Sequence, residues 1–158
     1  MTRKITLAAA RIKTGIQKKL YLGNLNAKRD WGHAKDYVEC MWLILQAKKA
    51  DDYVIATGKM HTVREFCELA FKNVNINLIW EGVGINEKGI DSESGKVIIE
   101  VDSKYFRPTE VDQLCGNPDK AKKMLSWNPT KTTFERLVKE MVDYDLKFIQ
   151  TNNHNVFD

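Results

Sequence analysis

Cysteine and proline are scarce in this chain of 158 residues, at three each. Cys40, Cys67 and Cys115 lie far apart and form no Cys-x-x-Cys pair, so neither a zinc site nor a disulfide framework is expected. Reduced, buried thiols fit a cytoplasmic protein. Long apolar runs are missing as well. The stretch from Ile5 to Ala10 is cut by Arg11, too short for a secretory segment and far too short to cross a bilayer. Asn128-Pro129-Thr130 is disqualified as a glycosylation acceptor by its proline. A strong charge imbalance is also absent: 25 basic against 21 acidic side chains leave a net +4. With no basic stripe and no aromatic ladder, a nucleic-acid binder is not indicated, yet a phosphorylated ligand would not be repelled.

What remains, 43% hydrophobic and 29% charged residues, is the composition of one soluble domain or a piece of one. Apolar spacing predicts a helix over Thr2 to Thr14, with Ile5, Ala8, Ala9 and Ile12 on one face. A second is predicted from Ala34 to Ala47, with Val38, Met41, Trp42 and Leu45 inward. Thr62-Val63-Arg64-Glu65 is a capping box opening a third, whose face is Val63, Phe66, Cys67 and Ala70. Asn117-Pro118 starts a short helix reaching Leu125. Thr132 and Glu135 cap a long last one carrying Phe134, Leu137, Val138, Met141 and Phe148. Strands are expected at Lys18 to Leu22, Tyr53 to Thr57, Ile76 to Trp80 and Val97 to Val101. The stretch from Glu81 to Lys96, with four glycines and six charged residues, reads as an exposed excursion.

The alternation defines an α/β chain occupying residues 1–150, followed by a polar tail over 151–158. Only four short, scattered strands serve several apolar helix faces. A small mixed sheet is therefore expected, with most of a larger parallel sheet missing.

Two glycine patterns fail as phosphate loops. Gly82-Val83-Gly84 places Glu87 where a dinucleotide turn needs its third glycine, and Gly84 to Gly89 is followed by Ile90-Asp91 instead of Lys-Ser/Thr. His33, His61 and His154 share no ligand spacing, and His33 is read as a cap or packing residue at a helix start. Two arginines carry more weight. Arg29 sits in Arg29-Asp30-Trp31-Gly32-His33, just ahead of the second helix; its bland reading is a solvated residue paired with Asp30. Arg107 precedes Pro108, which fixes the backbone, and Glu110 follows three residues on. Guanidinium forks grip phosphate oxygens in two-pronged fashion, and a carboxylate beside them suits ribose hydroxyls.

The block Leu22-Gly23-Asn24-Leu25-Asn26-Ala27-Lys28-Arg29-Asp30-Trp31-Gly32-His33-Ala34-Lys35-Asp36-Tyr37-Val38-Glu39 resembles the GDP-mannose 4,6-dehydratases, extended short-chain dehydrogenases/reductases. So do Thr2-Arg3-Lys4-Ile5, Ile55-Ala56-Thr57-Gly58, Val63-Arg64-Glu65-Phe66, Tyr105-Phe106-Arg107-Pro108-Thr109-Glu110-Val111-Asp112 and Lys120-Ala121-Lys122 with Leu125-Ser126-Trp127. The resemblance runs from residue 2 to about 150 and implies the C-terminal, substrate-binding part of such an enzyme. It implies that Arg29 and Arg107 grip the diphosphate of GDP-mannose and that Glu110 holds the ribose. Lys4, with the Leu22 and Gly23 backbone, would line the guanine pocket.

Family chemistry uses NADP to oxidise C4 of the sugar, eliminates water across C5 and C6, and returns the hydride to C6. It requires a tyrosine with a lysine four residues on. Tyr21, Tyr37, Tyr53, Tyr105 and Tyr144 have Leu25, Met41, Thr57, Thr109 and Phe148 at that position, so no catalytic residue is assigned. The cofactor and catalytic groups are expected upstream of Met1, in the segment that supplies the missing sheet. The resemblance further implies a place in GDP-fucose synthesis and homodimers or homotetramers. The rival reading is a nucleotide-sugar-binding chain without turnover.

Overall fold

The computed structural model describes residues 1–106 and 113–153. The chain divides into two compact units. One comprises Met1–Ala27, Thr62–Glu110 and Val138–Asp158, the other Lys28–His61 and Val111–Leu137.

In the first unit, helix α1 (Thr2–Lys13) buries Ile5, Ala8, Ala9 and Ala10. Its end is closed by the Ile16 amide donating to the Arg11 carbonyl at 2.9 Å. Strand β1 (Leu20–Leu22) runs parallel to β6 (Val97–Val101), with Leu20 opposite Ile99 and Leu22 opposite Val101. Strands β5 (Lys88–Asp91) and β4 (Leu78–Glu81) extend this sheet antiparallel, in the order β1-β6-β5-β4.

The β5 strand overturns the expected exposed excursion. Its Gly89 lies against Trp80 and Ile99, where an added Cβ would be 3.0 and 3.1 Å from their side-chain atoms. Without a side chain at that crowded position, the residue carries no strand signal, although the sheet requires it. The expected Ile76 and Lys18 strands form later in sequence, as β4 and β1. Helix α3 (Val63–Lys72) keeps its capping box, with the Glu65 amide donating to Thr62 Oγ1 at 3.0 Å and the Thr62 amide to Glu65 Oε2 at 2.6 Å. Its Val63, Phe66, Cys67 and Ala70 face is buried as expected.

The long helix α5 (Phe134–Asn153) begins in the second unit and continues in the first. In the first unit it buries Val138, Val142, Asp145 and Ile149, while Phe148, expected inside, is exposed. Thr6 Oγ1 donates to Asp145 Oδ2 at 2.7 Å, tying α5 to α1.

The second unit is smaller. Helix α2 (Ala34–Leu45) is capped by His33, whose Nδ1 accepts from the Lys35 amide at 3.1 Å, the role expected of this histidine. Cys40, Ala121 and Trp127 form its core, with α4 (Asp119–Leu125) and the side chains of Tyr37, Tyr53 and Ile55 packed around them. A small sheet in the order β3-β2-β7 uses β2 (Lys28–Arg29) and β7 (Gln113–Leu114), paired in parallel, and β3 (His61–Thr62).

Thr133, and not Thr132, caps α5: its Oγ1 accepts from the Arg136 amide at 3.3 Å. Thr132 is committed elsewhere. Its amide donates to Asp36 Oδ2 at 2.8 Å and its hydroxyl to Asp36 Oδ1 at 3.3 Å, while Trp127 Nε1 donates to the Asp36 carbonyl at 2.9 Å.

Two expectations fail in this unit for one reason. The α2 stripe expected inside is exposed: Val38 61%, Met41 53%, Trp42 59% and Leu45 80%. Residues 53–57 form no strand and, among the described residues, pair with none. A strand exists only with a partner for its amides and carbonyls, and an amphipathic helix is buried only if something lies against it. Cys115 departs from the expected buried thiols by being exposed; Cys40 and Cys67 are buried.

Asp36 is the polar keystone of this unit, 4% exposed and carrying both Thr132 hydrogen bonds. Asp36→Ala is expected to cost about 2 kcal/mol in urea unfolding, because it strands a donor inside the unit. A loss below about 0.5 kcal/mol, the range of an ordinary surface change, would contradict that role.

Candidate functional site

Two chain segments leave the sheet of the first unit at the same end, because β1 and β6 are parallel. Gly23 follows β1, and the turn from Asp102 to Tyr105 follows β6. The Asp102 amide donates to the Leu22 carbonyl at 2.9 Å, which locks the two exits together. The turn is tightened by the Lys104 amide donating to Asp102 Oδ1 at 2.9 Å and the Tyr105 amide donating to the Asp102 carbonyl at 2.9 Å.

Gly23 then packs directly on the Tyr105 carbonyl, where a Cβ would overlap it. Lys4, on the first turn of α1, holds its ammonium 3.7 Å from the centre of the Tyr105 ring, well inside cation–π range. On the other side of that ring, along α1 and the start of β1, lies a pocket of about 240 Å³ walled by Lys4, Leu7, Arg11, Lys19, Tyr21 and Tyr105; Leu22 and Gly23 are not among its walls. Lys19 is paired with Glu100 at 2.7 Å.

Of the residues expected in the site, Lys4, Leu22 and Gly23 thus fall in one neighbourhood. Tyr105, Arg11 and Tyr21 join them there. They escaped the sequence reading because nothing in their local spacing marks them, although Tyr105 stands just before the Phe106-Arg107-Pro108 run. Arg107 and Glu110 lie outside the described residues.

Arg29 belongs to the second unit, on β2. Its Nη1 donates to the Lys28 carbonyl at 2.8 Å. The neighbouring Asp30 is tied down by backbone: its carboxylate accepts from the Thr57 amide at 2.9 Å, the Thr57 hydroxyl at 2.5 Å and the Gly58 amide at 2.9 Å. Its own amide donates to the Leu114 carbonyl at 3.1 Å. Asp30 therefore anchors the turn after residues 53–57 to β2 and does more than balance a solvated arginine. Beside it, burial first, then the Asp30 and Asp36 carboxylates, push the Tyr37 phenol up to about 12. Tyr37 stays protonated near neutral pH and offers no base there.

Gly82 and Gly84 lie in the connection between antiparallel β4 and β5, around a short 3-10 turn at Gly84–Asn86. A dinucleotide turn joins a strand to a helix whose amino end faces the pyrophosphate. The observed connection lacks that helix and does not fit a nicotinamide cofactor. No cluster of metal-ligating side chains occurs among the described residues. No helix among them is long and apolar enough to cross a membrane.

The architecture matches that of solved structures. The NADPH complex of RMD from Pseudomonas aeruginosa superposes with a TM-score of 0.73 at 18% identity, covering 92% of this chain and 42% of that one. The NAD complex of dTDP-glucose 4,6-dehydratase from Bacillus anthracis gives 0.66 at 22% identity, covering 90% and 38%. At these identities the likenesses show a shared α/β fold of Rossmann type.

Sequence narrows it. The GDP-mannose 4,6 dehydratase family model matches residues 1–141, and the chain belongs to that family. GDP-mannose 4,6 dehydratase of Dictyostelium discoideum is 55% identical over 97% of this chain, and that of Homo sapiens 52% identical over 96%. The chain spans only 43% and 41% of those two relatives.

The close approach at Gly23 is directly testable. Gly23→Ala should force the turn after β6 outward and cost at least about 1 kcal/mol, the lower range for overpacking. Unfolding at wild-type denaturant concentration would show that the Tyr105 carbonyl does not press on this position.

Proposed function

We propose that the chain supplies the GDP-sugar-binding part of a GDP-mannose 4,6-dehydratase, which converts GDP-mannose to GDP-4-keto-6-deoxymannose and water. The observation that carries this reading is the junction at the shared exit of β1 and β6, whose Tyr105 and Lys4 also wall the neighbouring pocket. There, Lys4 and the Leu22-Gly23 backbone, the residues the family resemblance assigns to guanine, lie against Tyr105. Family membership and about 50% identity to enzymes of that name support it. In this reading Arg29 and Arg107 neutralise the diphosphate and Glu110 accepts from the ribose hydroxyls. Paired charge-assisted contacts of this kind both bind and orient.

NADP is the proposed cofactor of the whole enzyme, and it would carry the hydride away from and back to the sugar. The described residues offer it no pyrophosphate turn, so its site is placed in chain beyond these 158 residues. The catalytic tyrosine and lysine are placed there too. The bare α2 stripe and the unpaired 53–57 segment support this: both are what a missing parallel sheet would leave behind. The proposal extends to GDP-fucose synthesis, to the cytoplasm and to a homo-oligomeric enzyme.

A second reading, binding without turnover, is favoured by the missing Tyr-x-x-x-Lys. Following 4-keto sugar formation from GDP-mannose and NADP by a longer chain that carries the upstream part separates the two, because only the first predicts turnover there. Turnover by that longer chain would refute the second.

The assignment of Arg107 is tested by calorimetry with GDP. Arg107→Ala is expected to weaken binding by on the order of tenfold to a hundredfold, the loss of one strong charge-assisted contact. An unchanged Kd would remove Arg107 from the diphosphate site.

A further inference from the structure

The pocket beside Lys4 has a one-sided chemistry. Lys4, Arg11, Gln17 and Lys19 line it together with two tyrosines, and no carboxylate is among its lining residues. Lys19 already has Glu100 as a partner, whereas among the described residues Lys4 and Arg11 form no ion pair with a carboxylate. Among the described residues, the pocket's cations without a carboxylate partner are therefore Lys4 and Arg11, beside the hydroxyls of Tyr21 and Tyr105. An ammonium on a flexible four-carbon stem would ordinarily wander. Here it rests over the Tyr105 ring, which is 44% exposed and so open to the pocket.

We propose that Tyr105 is a specificity-determining residue of this pocket, holding the Lys4 ammonium where it meets a base with an acceptor edge. This inference rests on the nucleotide-sugar reading and adds to it the group that selects the base. Guanine offers N7 and O6, both acceptors, along one edge, while adenine replaces O6 with an amino donor. A pocket of fixed donors thus accepts a 6-oxopurine and opposes a 6-aminopurine, whose amino group would face cations. Rejection by mismatched polar groups is far stronger than rejection by size. The ring of Tyr105 acts through Lys4, so it is a positioning residue. Its contact with Gly23 is made by the backbone carbonyl and not by the ring.

The test is the ratio of Kd for ADP to Kd for GDP, measured by calorimetry on the whole chain and its variants. The wild-type chain should prefer GDP by at least roughly tenfold, as expected where polar groups discriminate. Tyr105→Phe, which keeps the ring face, should retain that ratio. Tyr105→Leu should bring it towards about one, because the ammonium is no longer held against an aromatic face. A Tyr105→Leu chain that keeps the wild-type ratio overturns the inference, as does a Tyr105→Phe chain that loses it. Should Tyr105→Leu fail to fold by circular dichroism, Lys4→Met reads the same ratio, and undiminished preference there is equally fatal. A wild-type chain that binds GDP and ADP alike overturns this inference alone. One that binds neither overturns the nucleotide-sugar reading with it.

Discussion

Parallel pairing between β1 and β6 brings two segments some 80 residues apart in sequence out of the sheet at one end. An antiparallel arrangement would send Gly23 and Tyr105 to opposite edges, and the two would not meet. The Asp102 amide on the Leu22 carbonyl fixes the exits to each other, so the register of one short ladder decides where Lys4 finds its aromatic partner. Three residue pairs carry that register. Such a brief ladder would be weak in isolation. It is held by the buried helix faces of α1 and α3 and by Ile99 and Leu20, both almost completely enclosed.

The second unit works differently. Its organisation comes from carboxylates used as connectors, not from a broad apolar centre. Asp30 gathers Thr57 and Gly58, and Asp36 gathers Thr132. Each is a short side chain that satisfies two or three backbone or hydroxyl donors from a remote segment, replacing sheet contacts that the unit lacks. The cost of such a design is sensitivity, because each connector lost leaves buried donors without an acceptor.

Much of this was legible in the sequence. The helices declared themselves through spacing and caps: the Thr62–Glu65 box and the His33 cap are local devices that need no tertiary information. The family followed from the Leu22–Glu39 block. Tertiary partners were not legible. Gly89 looked like a loop residue because its place in β5 depends on Trp80 and Ile99 arriving from elsewhere. Thr132 looked like a cap because nothing nearby announced that Asp36 would claim it. The Val38–Leu45 stripe had the right spacing for burial, but spacing says only that a face is apolar, not that it has a neighbour. In the site, Lys4, Leu22 and Gly23 came from resemblance. Tyr105 entered the pocket only through the crossing of two strands.

Of the three thiols, Cys115 alone faces solvent, while burial raises the others and keeps them from forming reactive thiolates. A single maleimide dye would therefore attach once per molecule, immediately after β7. That places a fluorescent reporter one residue beyond Leu114, whose carbonyl holds the Asp30 amide. The chain thus comes with its own spectroscopic handle next to Arg29, and no engineered cysteine is needed to follow that strand.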